Sequence, residues 1–503
     1  MNGEISLSRL YLVVFLTGAV VMILELVGSR ILAPSVGTST FVWSGLIGVI
    51  LGAMSLGYYY GGRIADWDQS LKTFAALIFA AGFSVFLIII FQQRVLEFVP
   101  YLGIRAGSVF AALVFFAAPS FLLGTVSPYA ARLAMEKVES SGRTVGNLYA
   151  VSTFGSIVGT FSAGFYLIPS FGSVRLLYAI ALALFAIALL VYKPQRREKR
   201  GIFVLALALT GAAATAQALE GERYLYQTDS TYNNIRVYDT ERGGRPLRVF
   251  SAENSYDSGM FLDSEELAFE YSRYYALDEA FGGKISRAAI FGGAAYSVPK
   301  EFLRRNKEGR IDVVEIDPKT TEVARKFFGL KDDPRLGIIH EDARIFLNER
   351  SVSGKGSYDA VYNDAFNSVC SIPSHLTTLE AVRKVSDLLD EDGVFIINVI
   401  SSLEGEKSTF FRAQYKTLAQ VFAGVHAFPS HGAEYDPQEV QNIMVVASKR
   451  KTDVEALRLE YPAGEMKELL GHHYAKEVPT DDVVVLTDDF APVSHYTEAL
   501  CEN

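Results

Sequence analysis

The sequence predicts two unlike parts: a helical membrane bundle, then an α/β domain with a mostly parallel sheet wound on both faces and a small β-subdomain ahead of it. Three observations carry this. Half of the 503 residues are hydrophobic and only 20% are charged, and the mean hydropathy of +0.21 is high for a soluble chain of this length. Charge is also divided: 15 Lys and Arg stand against 8 acids up to residue 217, and 32 against 48 beyond it. Finally, apolar runs of membrane length fill the first part, whereas short alternating strand and helix patterns fill the second. The expected boundaries are a bundle over 1–218, a β-subdomain over 219–263 and the α/β domain proper over 264–503. So acidic a domain repels phosphate, which excludes a nucleic-acid partner. Cys370 and Cys501 fit neither a metal-ligand spacing nor a disulfide framework.

Runs long enough to cross about 30 Å of hydrocarbon lie near 10–28, 41–60, 71–91, 107–128, 146–168 and 174–192, with a seventh candidate at 201–218. The bilayer is therefore an expected partner, and a bacterial-type inner membrane crossed several times the expected location. No cleavable signal is read in the first run, because Arg30 follows it without a small-residue cleavage site. The amino terminus and alternate loops hold about 11 Lys and Arg, dominated by Lys193, Arg196, Arg197, Lys199 and Arg200, against about 4 in the opposite loops, so the amino terminus is expected inside. If 201–218 spans, the second part then lies outside; if that segment rests in the interface, it lies inside. Glu25, within the first run, reads either as a polar substrate site or as a partner of Arg30. Gly48, Gly52, Gly57, Gly61 and Gly62 offer small faces for close helix packing.

In the second part, alternating segments at 232–238, 245–251 and 258–262 predict the β-subdomain. A helix-period stretch over 264–281 leads into strands at 287–291, 311–316, 336–340, 358–363 and 394–399. These alternate with helices at 298–305, 319–328, 343–349, 378–389 and 408–422, and two last strands near 426 and 442–448 close a hairpin. Strand–helix alternation puts a ligand at the carboxyl ends of the strands. The closing hairpin favours the nucleoside-binding variant of the fold that holds S-adenosylmethionine over a dinucleotide dehydrogenase.

Chemistry-bearing residues gather at those strand ends. Gly292-Gly293-Ala294-Ala295 follows the first strand and permits close backbone approach to a ligand, although a glycine pair also makes a plain tight turn. Glu315 and Asp317 follow the second, where an acid grips ribose hydroxyls. Asp342, with Ala343, follows the third, as an adenine contact, a helix N-cap or both. Asp364 follows the fourth, where the reacting centre would lie, though Asn363-Asp364 is also turn-prone. Tyr232, Tyr271 and Tyr296 are candidate pocket walls, with ordinary packing as the alternative among 26 tyrosines. His375 reads as catalytic or helix-capping, and Asp488 and Asp489 as pocket acids or an exposed turn.

From about Tyr224 onward these residues resemble spermidine synthases, and the whole chain resembles their membrane-fused relatives. The resemblance makes Val314-Glu315-Ile316-Asp317 the ribose motif, Glu341-Asp342-Ala343 the adenine motif and Asp364-Ala365-Phe366-Asn367 the catalytic loop. Arg30-Ile31-Leu32-Ala33-Pro34, Ile372-Pro373-Ser374-His375 and Leu486-Thr487-Asp488-Asp489 look like sequences of the fused subgroup. It implies an aminopropyltransferase using S-adenosylmethionine or its decarboxylated form as co-substrate, with Asp364 orienting and deprotonating an amine acceptor that is a small molecule or membrane-associated. Two departures stand out: the family's acids that hold the co-substrate's amino end and the diamine are here Ala295 and Asn367. Methyl transfer, or lyase cleavage of S-adenosylmethionine, is therefore kept beside the leading expectation, as is a transporter-like nucleoside sensor. The cytosolic origin of S-adenosylmethionine argues for a cytoplasmic catalytic domain, and a homodimer is one expected assembly.

Overall fold

The computed structural model describes residues 5–36, 40–135, 141–192, 224–252, 258–366, 372–432 and 435–500. Asn367, both cysteines and the 201–218 segment lie outside them. The chain divides into two compact units, residues 1–234 and 235–502.

Among the described residues of the first unit, six helices are long and apolar enough to cross a membrane. They are α1 (Leu7–Val36), α2 (Thr40–Trp67), α3 (Leu71–Phe98), α4 (Arg105–Ala134), α5 (Ser141–Leu167) and α6 (Ser173–Val191). Small residues set their packing. A Cβ on Gly155 would lie 2.1 Å from the Phe15 carbonyl and one on Gly159 2.4 Å from that of Ala19, so α1 and α5 touch backbone to backbone, in parallel. Gly57 and Gly61 likewise meet the backbone of Phe121 and Thr125 in α4, whereas Gly48, Gly52 and Gly62 have open space. The expected glycine seam is thus only partly used. Strand β1 (Tyr226–Asp229) ends this unit.

The second unit opens with an antiparallel meander, β2 (Asn234–Arg242), β3 (Arg245–Ala252) and β4 (Ser258–Phe261), with Gly243-Gly244 at the first turn in the left-handed conformation. The stretch expected as one helix over 264–281 is not one: a 3-10 turn covers Glu270–Ala276, followed only by α7 (Leu277–Gly282). Its apolar period comes from burying Tyr274, Tyr275 and Leu277 in the core, a pattern that tight turns also satisfy.

Seven strands follow in the order β10-β11-β9-β8-β5-β6-β7. They are β5 (Arg287–Phe291), β6 (Arg310–Val314), β7 (Leu336–Ile339), β8 (Tyr358–Asn363), β9 (Leu389–Ser401), β10 (Gly424–Pro429) and β11 (Gln441–Ser448). β7, β6, β5, β8 and β9 are parallel, and the closing hairpin β10–β11 is antiparallel, as expected. Helices α8 (Ser297–Arg305), α9 (Pro318–Phe327), α10 (Ala343–Ser353), α11 (Leu379–Leu388) and α12 (Thr409–Leu418) connect them. Alternate residues of each strand feed opposite cores. Phe395 and Ile397 pack with Phe346, Val382 and Phe411 on one face, while Val394 and Ile396 pack with Tyr275, Phe302 and Leu470 on the other. With both faces covered, the open ends of the parallel strands are where loops can gather side chains.

Candidate functional site

Four strand ends converge here. After β5 the chain turns through Gly292, at φ +93°, and a Cβ there would lie 2.7 Å from the Asp364 carbonyl oxygen. Only glycine fits a left-handed residue so close to the neighbouring loop. Ala294 and Tyr296 are also left-handed, at φ 45° and 57°, an unusual concentration of strain for side-chain-bearing residues.

What holds this loop is Glu315. Its side chain is 7% exposed and accepts from the backbone N–H groups of Gly293 (2.8 Å) and Asp317 (2.9 Å). Burial raises the Glu315 carboxyl above its ordinary range, and those backbone donors pull it back. Asp317 caps α9 through the Lys319 N–H at 3.0 Å, so of the two expected ribose acids one is a cap as well.

Asp342 caps α10 through the Arg344 N–H at 2.7 Å and stands 3.5 Å from His375 Nε2. Arg344 reaches back to the His375 carbonyl at 2.8 Å. Asp488 accepts from Arg344 and, at 2.7 Å, from Thr378, which itself caps α11. Asp488 thereby ties the late Thr487-Asp488-Asp489 turn to two helix starts, and Asp489 is exposed. Ala343 is buried at the head of α10.

Asp364 follows β8, and its backbone N–H continues the ladder to the Phe291 carbonyl at 3.0 Å. One carboxylate oxygen accepts from Asn398 Nδ2 at 2.9 Å and the other from the Tyr271 hydroxyl at 3.3 Å. Asn398 is oriented in turn by Asn442 Nδ2, 3.0 Å from its oxygen. Asp364 keeps some solvent access yet is densely surrounded by protein, and that burial raises its carboxyl above the usual range against the lowering effect of its donors. Tyr275, fully buried beside it, has its phenol pushed up by burial and by the Asp364 charge.

Of the three candidate tyrosines, Tyr271 reaches Asp364. Tyr296 is fully buried and its hydroxyl bonds Thr321 Oγ1 at 2.6 Å, so its left-handed backbone turns the ring into the core. Tyr232 and Glu25 belong to the first unit, where the Tyr232 carbonyl accepts from Arg30. No ion pair joins Glu25 to Arg30 among the described residues. Sequence reasoning missed Asn398, Asn442 and Tyr275. The available signal was a lone amide in the apolar run Phe395-Ile396-Ile397-Asn398-Val399-Ile400, since a buried amide is costly without partners.

Chemically, the arrangement offers one proton-accepting carboxylate, aimed by two donors, beside a strained glycine loop and a buried acid. Ala295 is fully buried, leaving the loop without a carboxylate of its own.

Residues 282–453 match the model of the spermine/spermidine synthase domain. A polyamine aminopropyltransferase of Vibrio vulnificus is 24% identical over 253 residues, 48% of this chain and 78% of that one. Polyamine aminopropyltransferase 1 of Streptomyces coelicolor is 24% identical over 417 residues, 77% of this chain and 75% of the relative, a similarity longer than the second unit. Among solved structures, a probable spermidine synthase from Corynebacterium glutamicum covers 52% of this chain and 96% of its own, at 20% identity and a TM-score of 0.43.

Proposed function

From a carboxyl-terminal half that carries a spermine/spermidine synthase domain, we propose that this protein is a membrane-bound transferase that moves an aminopropyl-type group from a sulfonium nucleoside to an amine. The observation that carries the reading is the aimed, partly accessible Asp364 at the end of β8, one loop away from Gly292. The sulfonium substrate already contains an activated leaving group. The acceptor nitrogen attacks the chain carbon, a C–N bond forms as the C–S bond breaks, and the electron pair stays on sulfur as a neutral thioether. What remains for the protein is alignment and removal of one ammonium proton, a task for a single carboxylate. Asp364 takes that proton while Asn398 and Tyr271 fix its two oxygens.

Glu315 and Asp317 are proposed to hold the ribose and Asp342 with Ala343 the adenine, with Gly292 and Gly293 letting the backbone close on the nucleoside. The fit is good for a nucleoside and poorer for a dication, because no acid stands at Ala295. That same buried alanine favours a second reading, methyl transfer or lyase cleavage of S-adenosylmethionine, in which the amino end needs no carboxylate. Incubating the full chain in lipid with S-adenosylmethionine and with its decarboxylated form separates the two. Release of methylthioadenosine together with an amine heavier by one aminopropyl unit is the expected result. Release of S-adenosylhomocysteine would transfer the assignment to methyl chemistry.

A further inference from the structure

Among the described residues of the bundle, Glu25 is the one acid set deep in a long helix. The other two, Asp66 and Glu97, stand one residue from the ends of α2 and α3, whereas Glu25 lies eleven residues before the end of α1. It is half-buried, and none of the described residues donates to it or pairs with it. Arg30, the nearest cation along α1, is engaged by the carbonyls of Thr231 and Tyr232. Hydroxyls on the neighbouring turns are engaged too. Ser29 donates to the Leu26 carbonyl at 2.9 Å, Ser156 to that of Gly18 at 3.1 Å and Thr160 to that of Ser156 at 2.9 Å.

Close contacts fix where this carboxylate stands. Phe15 meets Gly155 and Ala19 meets Gly159, a constant step of 140 residues along two parallel helices, so Glu25 comes level with Phe165. Phe165 lies in a π-helical turn of α5, Ala163–Leu167. On the other side, a Cβ on Gly28 would lie 2.9 Å from Phe116 Cζ, in the π-helical turn Leu113–Ala117 of α4. At about 100° per residue, Glu25 projects between Gly18, about 20° away, and Gly28, about 60° away. Gly18 faces Ser152 of α5 and Gly28 faces α4. The acid therefore stands on the side of α1 that α4 and α5 share, with a π turn of each beside it. A π turn inserts a residue and widens its helix locally, a distortion that proteins keep mainly at functional sites.

A carboxylate without a partner in hydrocarbon is costly, and intramembrane acids are retained where they serve a ligand or a proton. We propose that Glu25 anchors a binding site for an amphiphilic amine, whose ammonium pairs with the carboxylate while its apolar body lies along Gly28 and Phe116. A metal cation needs several oxygens, and no second acid is described within the bundle to supply them. A soluble diamine would carry a second charge into the hydrocarbon. An ammonium on an apolar chain needs one carboxylate and brings its own lipid-compatible surface. The site rests on the membrane-bound part of the reading above and is independent of which group is transferred.

The full chain, in discs of zwitterionic lipid, is titrated calorimetrically with dodecylamine and with dodecanol as its neutral match. Dodecylamine is expected to bind wild type at least about tenfold more tightly than Glu25→Gln, since one partner of a desolvated ion pair is lost, and dodecanol to make no distinction. Equal affinity of the two proteins for dodecylamine, the same preference with dodecanol, or putrescine binding as tightly as dodecylamine would overturn the site. A second measurement needs no variant. Dicyclohexylcarbodiimide activates a carboxyl within lipid, and attack by the dodecylamine nitrogen then forms an amide as dicyclohexylurea leaves. Mass spectrometry is expected to find that amide on the peptide containing Glu25; a Glu25 peptide without it would contradict the proposal. Release of the chain from membranes by alkaline carbonate would overturn the membrane-bound reading itself, whereas retention without a Glu25-dependent preference would overturn the site alone.

Discussion

Replacing Asp364 by asparagine separates its chemical role from its place in the fold. An amide has the same shape, and its oxygen can accept from Asn398 Nδ2 as the carboxylate does at 2.9 Å. Its NH₂ then faces Tyr271, 3.3 Å away, whose hydroxyl rotates to accept. The shape of the side chain is kept, so the variant is expected to fold. Its stability should even gain. Burial raises the Asp364 carboxyl in the folded state, so as pH climbs through the window from the ordinary carboxylate value to the raised one, the native protein holds a proton that the unfolded chain has released. Wild-type stability falls through that window, by about 1.4 kcal/mol per unit of raise, and stays lowered above it; the amide has no such loss. The Tm of D364N, read by calorimetry in detergent or lipid, should match wild type near pH 4 and equal or exceed it at pH 7.5. Turnover, followed as methylthioadenosine release, should drop by about 10²- to 10⁴-fold, the usual worth of a positioned base. A variant within about tenfold of wild type, or one clearly less stable at pH 7.5, would refute the reasoning.

Other substitutions test the neighbours of that carboxylate. In wild type, kcat/KM should rise with pH as Asp364 ionises, with its midpoint above the ordinary carboxylate range. Asn398→Asp sets a second carboxylate against the first and should push that midpoint higher still; an unmoved profile would deny Asn398 its positioning role. Glu315→Gln turns an NH₂ toward one of two backbone donors, so nucleoside Kd by calorimetry should weaken at least about tenfold and stability fall by about 1–3 kcal/mol. Asp342→Ala should cost about 1 kcal/mol from the lost α10 cap, whereas Asp342→Asn keeps the cap, and both should weaken nucleoside binding. Asp488→Ala cuts the half-exposed pair with Arg344 and should cost about 1 kcal/mol or less while leaving nucleoside Kd unchanged.

Much of this was legible in the sequence because it is local. A glycine turn directly after an apolar strand, and acids within three residues of the end of each of the next three, need only the strand periodicity to be aligned at one sheet edge. The six apolar helices are legible for the same reason. What escaped reading depends on pairings between distant segments. Asn442 reaches Asn398 only because β11 inserts next to β9, and Tyr271 reaches Asp364 across 93 residues. Backbone conformation decided between the tyrosines: a left-handed residue at Tyr296 sends its ring inward to Thr321, a detail no apolar pattern encodes. The stretch over 264–281 misled because tight turns bury the same alternate aromatics as a helix would. Asp488 reads from the sequence as either a pocket acid or part of an exposed turn, and its partners Arg344 and Thr378 both lie far off in sequence.

The most direct test follows the atoms. Decarboxylated S-adenosylmethionine with deuterium on its aminopropyl carbons is given to the full chain in lipid with a set of amines and a lipid extract, and the products are weighed by mass spectrometry. Deuterium on an amine, with unlabelled methylthioadenosine released in equal amount, is the predicted result. Deuterium that stays on the nucleoside while a methyl group leaves, or that appears in a fragment with no acceptor attached, would contradict aminopropyl transfer.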